Sequence, residues 1–258
     1  MPTLELACGA ECGQAGTEGQ HFVLNGTSAA TFDTTTKRTG ARSYKCAATL
    51  GTSWIRYEAG NQNVRVCRTY VNFASLPSLT CPVATVLEAT DTLGIYFNSA
   101  DSKLYCGRGL ALLGATGVTV TTGVQYRLDI RVNLTANPWT IDGQVDGTVL
   151  GQVTKAQAAI SFSATDLGVS GLASPTFEMY FDDIAISGTA ADYPLGAGQG
   201  WCGVPTADGT HNVAGAADFR RGDTTTDILN TTTTAYQLVD EVPLAAVTPN
   251  PDDHIRIV

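Results

Sequence analysis

Residues 125–132 read Gln-Tyr-Arg-Leu-Asp-Ile-Arg-Val. In an extended chain, successive side chains point to opposite faces. Tyr126, Leu128, Ile130 and Val132 therefore share one face, and Gln125, Arg127, Asp129 and Arg131 share the other. One apolar and one charged face at a period of two is the pattern of an antiparallel strand with a core on one side and water on the other.

The same signal recurs on either side of this stretch. Val64 to Phe73 is ten residues rich in β-formers, and Ser43-Tyr44-Lys45-Cys46-Ala47 alternates. His21 to Leu24 reads as a short strand and Val83 to Leu87 as a buried one. Leu93 to Phe97 and Lys103 to Cys106 flank the polar loop Asn98 to Ser102, which reads as a hairpin. Val118 to Thr121, Trp139 to Val149 with its Asp146-Gly147 turn, and Phe177 to Ile186 complete the series. About ten or more short strands, with no convincing amphipathic helix, predict an all-β fold: a two-sheet antiparallel jelly-roll sandwich.

Composition agrees. Of 258 residues, only 15% are charged, so Thr, Ser, Asn and Gly must supply the polar surface, a mix that favours strands and turns. The hydrophobic fraction of 43% is enough for a full core. The formal charge of -9 argues against nucleic acid and anionic membrane surfaces as partners, since both need clustered Lys and Arg. No apolar run is long enough for a transmembrane helix. The opening Met-Pro-Thr-Leu-Glu-Leu lacks the basic and apolar regions of a signal peptide. The expectation is a protein made and kept in the cytosol or released by lysis.

Seven cysteines stand at positions 8, 12, 46, 67, 81, 106 and 202. They read mainly as small buried hydrophobes. A disulfide between Cys81 and Cys106, each at a strand end, is an alternative. The Cys8-x3-Cys12 spacing has no second close pair, so zinc is weakly supported.

Composition shifts near Tyr193-Pro194-Leu195-Gly196. The predicted division is a sandwich over 1–195 and an extended C-terminal arm over 196–258. Trp201, Phe219, Tyr236, Leu238 and Val239 are apolar anchors that a mere tail would not need. An extended arm of this kind is expected to lie on another copy of the chain, in part by adding a strand to its sheet.

Several segments together resemble concanavalin A-like/laminin-G-like jelly-roll structural proteins of tailed bacteriophage virions. Thr39-Gly40-Ala41-Arg42-Ser43-Tyr44 is similar to the opening strand of that family, and Tyr70 to Pro77 to a later one. Tyr126 to Ile130 and Phe181-Asp182-Asp183-Ile184-Ala185-Ile186 resemble its "YR" and closing strands. Pro205 to Asn212, and Val239 to Pro243 with Pro251-Asp252-Asp253, resemble virion elements beyond the sandwich. Gln125 stands where the family has Trp, and Leu244 to Thr248 is an insertion. The resemblance implies a non-enzymatic component of the head, neck or tail. Its partners would be other copies of itself, other virion proteins and host-surface glycan, and its place the virion.

Catalytic signatures point the same way. Sugar hydrolases on this fold need two carboxylates at a set separation, often as Glu-x-Asp-x-x-Glu. Glu58, Glu88, Glu178 and Glu241 are isolated, and the adjacent Asp182 and Asp183 should face opposite sides of a strand. His21, His211 and His254 are scattered, and no Gly-x-Ser-x-Gly elbow occurs. The expectation is no enzyme and no catalytic or cofactor site.

The alternative function is a carbohydrate-binding, lectin-like module that stacks sugars on Trp54, Tyr57 or Trp139, unless these are packing residues. Finally, Tyr180, Asp182, Ile184 and Ile186 share one strand face, and the isoleucines suggest that it points inward. A buried Asp182 needs donors, either loop N–H groups or a structural Ca2+ ion.

Overall fold

The computed structural model describes residues 4–8, 10, 22–40, 42–88, 91–110, 112–158, 160–171, 173–198, 200–203 and 254–257. In chain order the strands are β1 (Leu4–Cys8), β2 (Phe22–Gly26), β3 (Thr31–Asp33), β4 (Ser43–Ala48), β5 (Ser53–Gln62), β6 (Val64–Ser75), β7 (Cys81–Leu87), β8 (Thr92–Asn98), β9 (Lys103–Arg108) and β10 (Leu112–Leu113). There follow β11 (Val118–Thr119), β12 (Gln125–Asn133), β13 (Trp139–Val145), β14 (Thr148–Val149), β15 (Val153–Lys155), β16 (Phe162–Val169), β17 (Phe177–Ser187), β18 (Gly200–Gly203) and β19 (His254–Ile257).

Two antiparallel sheets form the predicted sandwich. The larger runs β14-β13-β12-β6-β17-β4-β3, with β15 also on β13 and β1 also on β17. The smaller runs β10-β9-β8-β7-β16-β5-β2, with β11 also on β9. Strands distant in sequence are neighbours in each sheet, as in a jelly roll.

The alternation in β12 is realised as read. Leu128, Ile130 and Val132 enter the core, while Arg127, Asp129 and Arg131 lie on the outward face. Phe73 and Cys67 of β6 meet this core from the same sheet, and Phe97, Ile95 and Leu93 of β8 meet it from the other. Each such side chain contributes about 1.5–3 kcal/mol through burial. The hairpin of β8 and β9 forms in the expected register, with Asn98 opposite Lys103.

β17 departs from the reading. Its register against β6 slips between Asp182 and Ala185, and Asp183 takes a φ of 48. This is a β-bulge, which adds one residue and reverses the alternation beyond it. Phe177, Met179 and Phe181 point into the core before the bulge, and Ile184 and Ile186 after it. Asp182 therefore shares the outward face with Tyr180, not the isoleucine face.

Cys46, Cys67, Cys81 and Cys106 are buried free thiols, so Cys81 and Cys106 are not joined. Burial pushes the Cys67 and Cys106 thiols up to about 12, which keeps them protonated and unreactive. Cys12 lies outside the described residues.

After β17 the chain turns back over the larger sheet. A short 3-10 helix (Ala190–Asp192) leads to Tyr193 and Leu195, which pack with Val66, Val64 and Ala185 on the outward face. β18 then pairs in parallel with β19. Of the anchors named in the arm, Phe219, Tyr236, Leu238 and Val239 lie outside the described residues, as do 205–212, 239–243 and 251–253.

Candidate functional site

The outward face of the larger sheet carries a dense set of polar side chains. Cross-strand pairing orders them in rows. One row is Lys45, Tyr180, Asn72 and Gln125. The next holds Asp182, Tyr70 and Arg127, and the third Ala185, Arg68, Asp129 and Gln144. The fourth holds Ser187, Val66, Arg131 and Asp142.

In the first row Tyr180 is buried and Lys45, Asn72 and Gln125 are half-buried. The Lys45 ammonium lies 3.0 Å from a Glu178 oxygen, and the Tyr180 hydroxyl donates to that same oxygen. Lys45 also stands 5.4 Å from the centre of the Tyr180 ring. The Tyr180 hydroxyl, and then Lys45, hold the Glu178 carboxyl below its ordinary value. Burial, and then the Glu178 carboxylate, push the Tyr180 phenol up. Beside this trio a groove of about 330 Å3 is lined by Ser28, Ala47, Ala48, Thr49, Ser75, Thr176, Phe177 and Glu178. It thus offers four hydroxyl groups and a carboxylate within the usual volume range of small-ligand sites.

The second row is built around the bulge. Asp182 accepts backbone N–H bonds from Arg38 at 2.7 Å, Thr39 at 3.2 Å and Asp183 at 2.8 Å. Loop N–H groups, one of the partners expected for a buried Asp182, are thus bonded to it. Burial, and then the neighbouring Asp183 charge, raise its pKa to about 7 despite these donors. Asp183 accepts from the Arg38 guanidinium at 2.5 Å and the Thr39 hydroxyl at 2.8 Å. The two carboxylates, expected on opposite faces, thus converge on one loop because the bulge turns the second one round. Among the described residues, no group of three or more His, Cys, Asp and Glu side chains could hold a metal ion.

The lower rows are covered. Arg68 and Asp129 are fully buried although they lie on the outward face. Arg127 pairs with Asp129 at 2.8 Å. Burial lowers the Arg68 pKa and raises that of Asp129, the charge of Arg127 opposing the second shift. Arg131 lies 4.9 Å over the Tyr193 ring, and Arg38 3.8 Å over the Tyr70 ring.

The aromatic candidates separate cleanly. Trp139 is fully buried and its indole N–H donates to the Ala158 carbonyl at 2.9 Å. Tyr57 is half-buried against the core. Both are packing residues. Trp54 is half-buried on the outward face of the smaller sheet, next to Arg56, which grips Asp166 through two nitrogens at 2.8 and 2.9 Å. The sequence reading passed over Lys45, Tyr180 and Tyr70. The i, i+2 spacing of Glu178 and Tyr180 on a strand was a usable signal, whereas Lys45 lies too far off in sequence to be linked to them.

No protein-family model and no curated protein sequence matches this chain. Solved structures do. The chain is similar to the cellulose induced protein Cip1, at 16% identity and a TM-score of 0.56, over 72% of this chain and 98% of that one. It also matches the alginate lyase Aly36B, at 10% identity and a TM-score of 0.47, over 58% and 82%. A sialidase of Trypanosoma rangeli matches at 14% identity and a TM-score of 0.46, over 62% and 27%. None of these names speaks of a bacteriophage particle. The last two name enzymes, though likeness at this level speaks for the fold alone; the expectation of a non-enzymatic protein does not hold, because a missing Glu-x-Asp-x-x-Glu pattern excludes one carboxylate arrangement, not catalysis on such a sandwich. The likeness to Cip1 establishes the jelly-roll sandwich fold.

Proposed function

We propose that this chain binds carbohydrate along the outward face of its larger sheet, with the groove beside Glu178 as the entry subsite. The observation that carries the reading is the groove itself. Ser28, Thr49, Ser75 and Thr176 line it together with Glu178, whose carboxyl Tyr180 and Lys45 hold below its ordinary value. Sugar hydroxyls are both donors and acceptors, so a lining of hydroxyls and a carboxylate can match them without an exact charge partner. The Asn72 and Gln125 amides continue the polar band along the next row. Carbohydrate-related proteins among the structural matches agree with this choice.

Two of the six segments that carry the resemblance to virion proteins lie outside the described residues. If the chain does stand on a particle, this face is the one that would meet a host-surface glycan.

Titration calorimetry with soluble oligosaccharides tests the reading. Glu178→Gln keeps the shape but removes the charge, and should weaken glycan binding by about tenfold or more, because a hydrogen bond to a charged group is worth ~1.5–3 kcal/mol. Glu178 is partly exposed, so folding should be little affected. Unchanged affinity in this variant would remove the groove from the account.

A further inference from the structure

The lower part of this face is closed by three residues that use almost no side chain. Gly196 donates its backbone N–H to Asp129 at 3.1 Å. Gly198 donates its own to the Tyr70 hydroxyl at 3.3 Å, and its carbonyl accepts from Arg38 at 2.9 Å. Ala197 between them is exposed. A Cβ built on Gly196, whose φ is +75, would meet no heavy atom of the described residues within 4 Å. The residues just before it are anchored, with Leu195 on Val66 and Ala185 and with Tyr193 under Arg131.

What lies beneath is incompletely satisfied. Arg68 is fully buried, yet its Nε and Nη2 reach only one carbonyl, that of Asp183, each at a long 3.3 Å. Its Nη1 has no partner. A buried charged donor without an acceptor is costly, and the cover supplies none. The cover does supply two donors and one acceptor to Asp129, Tyr70 and Arg38. Neighbouring sugar hydroxyls offer the same mixture, with an extra oxygen for Arg68.

We propose that Gly196–Gly198 is a displaceable cover whose peptide groups stand where saccharide hydroxyls go, so that glycan binding lifts it from a polar subsite made by Arg38, Arg68, Tyr70 and Asp129. The inference rests on the reading of this face as glycan-binding. Tyr193 and Leu195 stay seated, and the chain swings at Gly196. The ligand crosses from the open groove into the covered rows and gains the Arg68 Nη1 donor that the free protein leaves unmet.

Hydrogen–deuterium exchange of the full chain, free and with cellohexaose or with a galacturonate hexamer at millimolar concentration, tests the cover. Displacement should make the Gly196 and Gly198 amides exchange about tenfold faster or more in the complex than in the free protein. A hexamer that binds while both amides exchange at the same rate or more slowly overturns the cover and leaves the glycan reading in place. Failure of both hexamers to bind removes the reading and the cover together.

Discussion

Asp182→Ala should be the most damaging single change on the outward face, costing about 3–5 kcal/mol, as expected when one member of a buried polar network is removed. The carboxylate is 1% exposed and gathers the N–H groups of Arg38, Thr39 and Asp183. Without it these donors are buried with no acceptor, and the bulge loses the group that pins it to the loop. Arg38 then loses its fixed place over Tyr70 and beside Asp183. Thermal unfolding of the purified variant measures the loss. For a domain of this size about 1 kcal/mol moves Tm by roughly 2–4 °C, so a fall of some 10 °C is expected.

The pH dependence of that difference has a definite sign. The folded pKa of Asp182 lies near 7, above the unfolded value of about 3.9. The native state therefore holds this proton more firmly than the unfolded chain does, and the stability linked to it is greatest in acid. It declines as pH rises from about 4 to about 7. The gap in Tm between the wild type and Asp182→Ala should accordingly be widest near the acid end of this window. A gap that widens with rising pH instead would mean that the carboxylate is ionised throughout. Burial raises Asp129 and Asp166 in the same direction, so the wild type as a whole should tolerate mild acid well.

Trp139→Ala is the second large effect, about 3–5 kcal/mol of stability for removing a large buried aromatic side chain. Trp139 is fully enclosed, its N–H is bonded to Ala158, and Lys155 lies 4.7 Å over its ring. Truncation leaves a cavity between β13 and the smaller sheet. Chemical denaturation should show a lower midpoint, while glycan affinity at low temperature stays at the wild-type value. Lost affinity in a still-folded Trp139→Ala protein would show that the ring belongs to a binding surface after all.

The contrast between Trp139 and β12 shows where sequence pattern is informative. β12 has core on one side and a polar face on the other, so a period of two is printed in its residues. β5 and β16 escaped notice for the opposite reason. In β16, Thr165, Asp166 and Leu167 are all buried, so its two faces do not differ in polarity. The β17 bulge was illegible because two adjacent Asp residues leave no trace of which one is the extra residue. Only the apolar positions on either side, Phe181 and Ile184, disclose it, being three apart yet both in the core. The site was readable as polar strand faces but not as a site. Lys45 meets Glu178 through β4–β17 pairing, and Arg38 meets Asp183 through a loop contact, each across more than a hundred residues of chain.

We propose, then, that the outward face of the larger sheet receives a glycan. The most direct measurement is a nuclear magnetic resonance titration of isotope-labelled protein with the same two hexasaccharides. The amide signals of Lys45, Ser75, Glu178 and Tyr180 should shift together and saturate with one affinity. Shifts confined to the smaller sheet around Trp54 and Arg56, or none with either sugar, would contradict it.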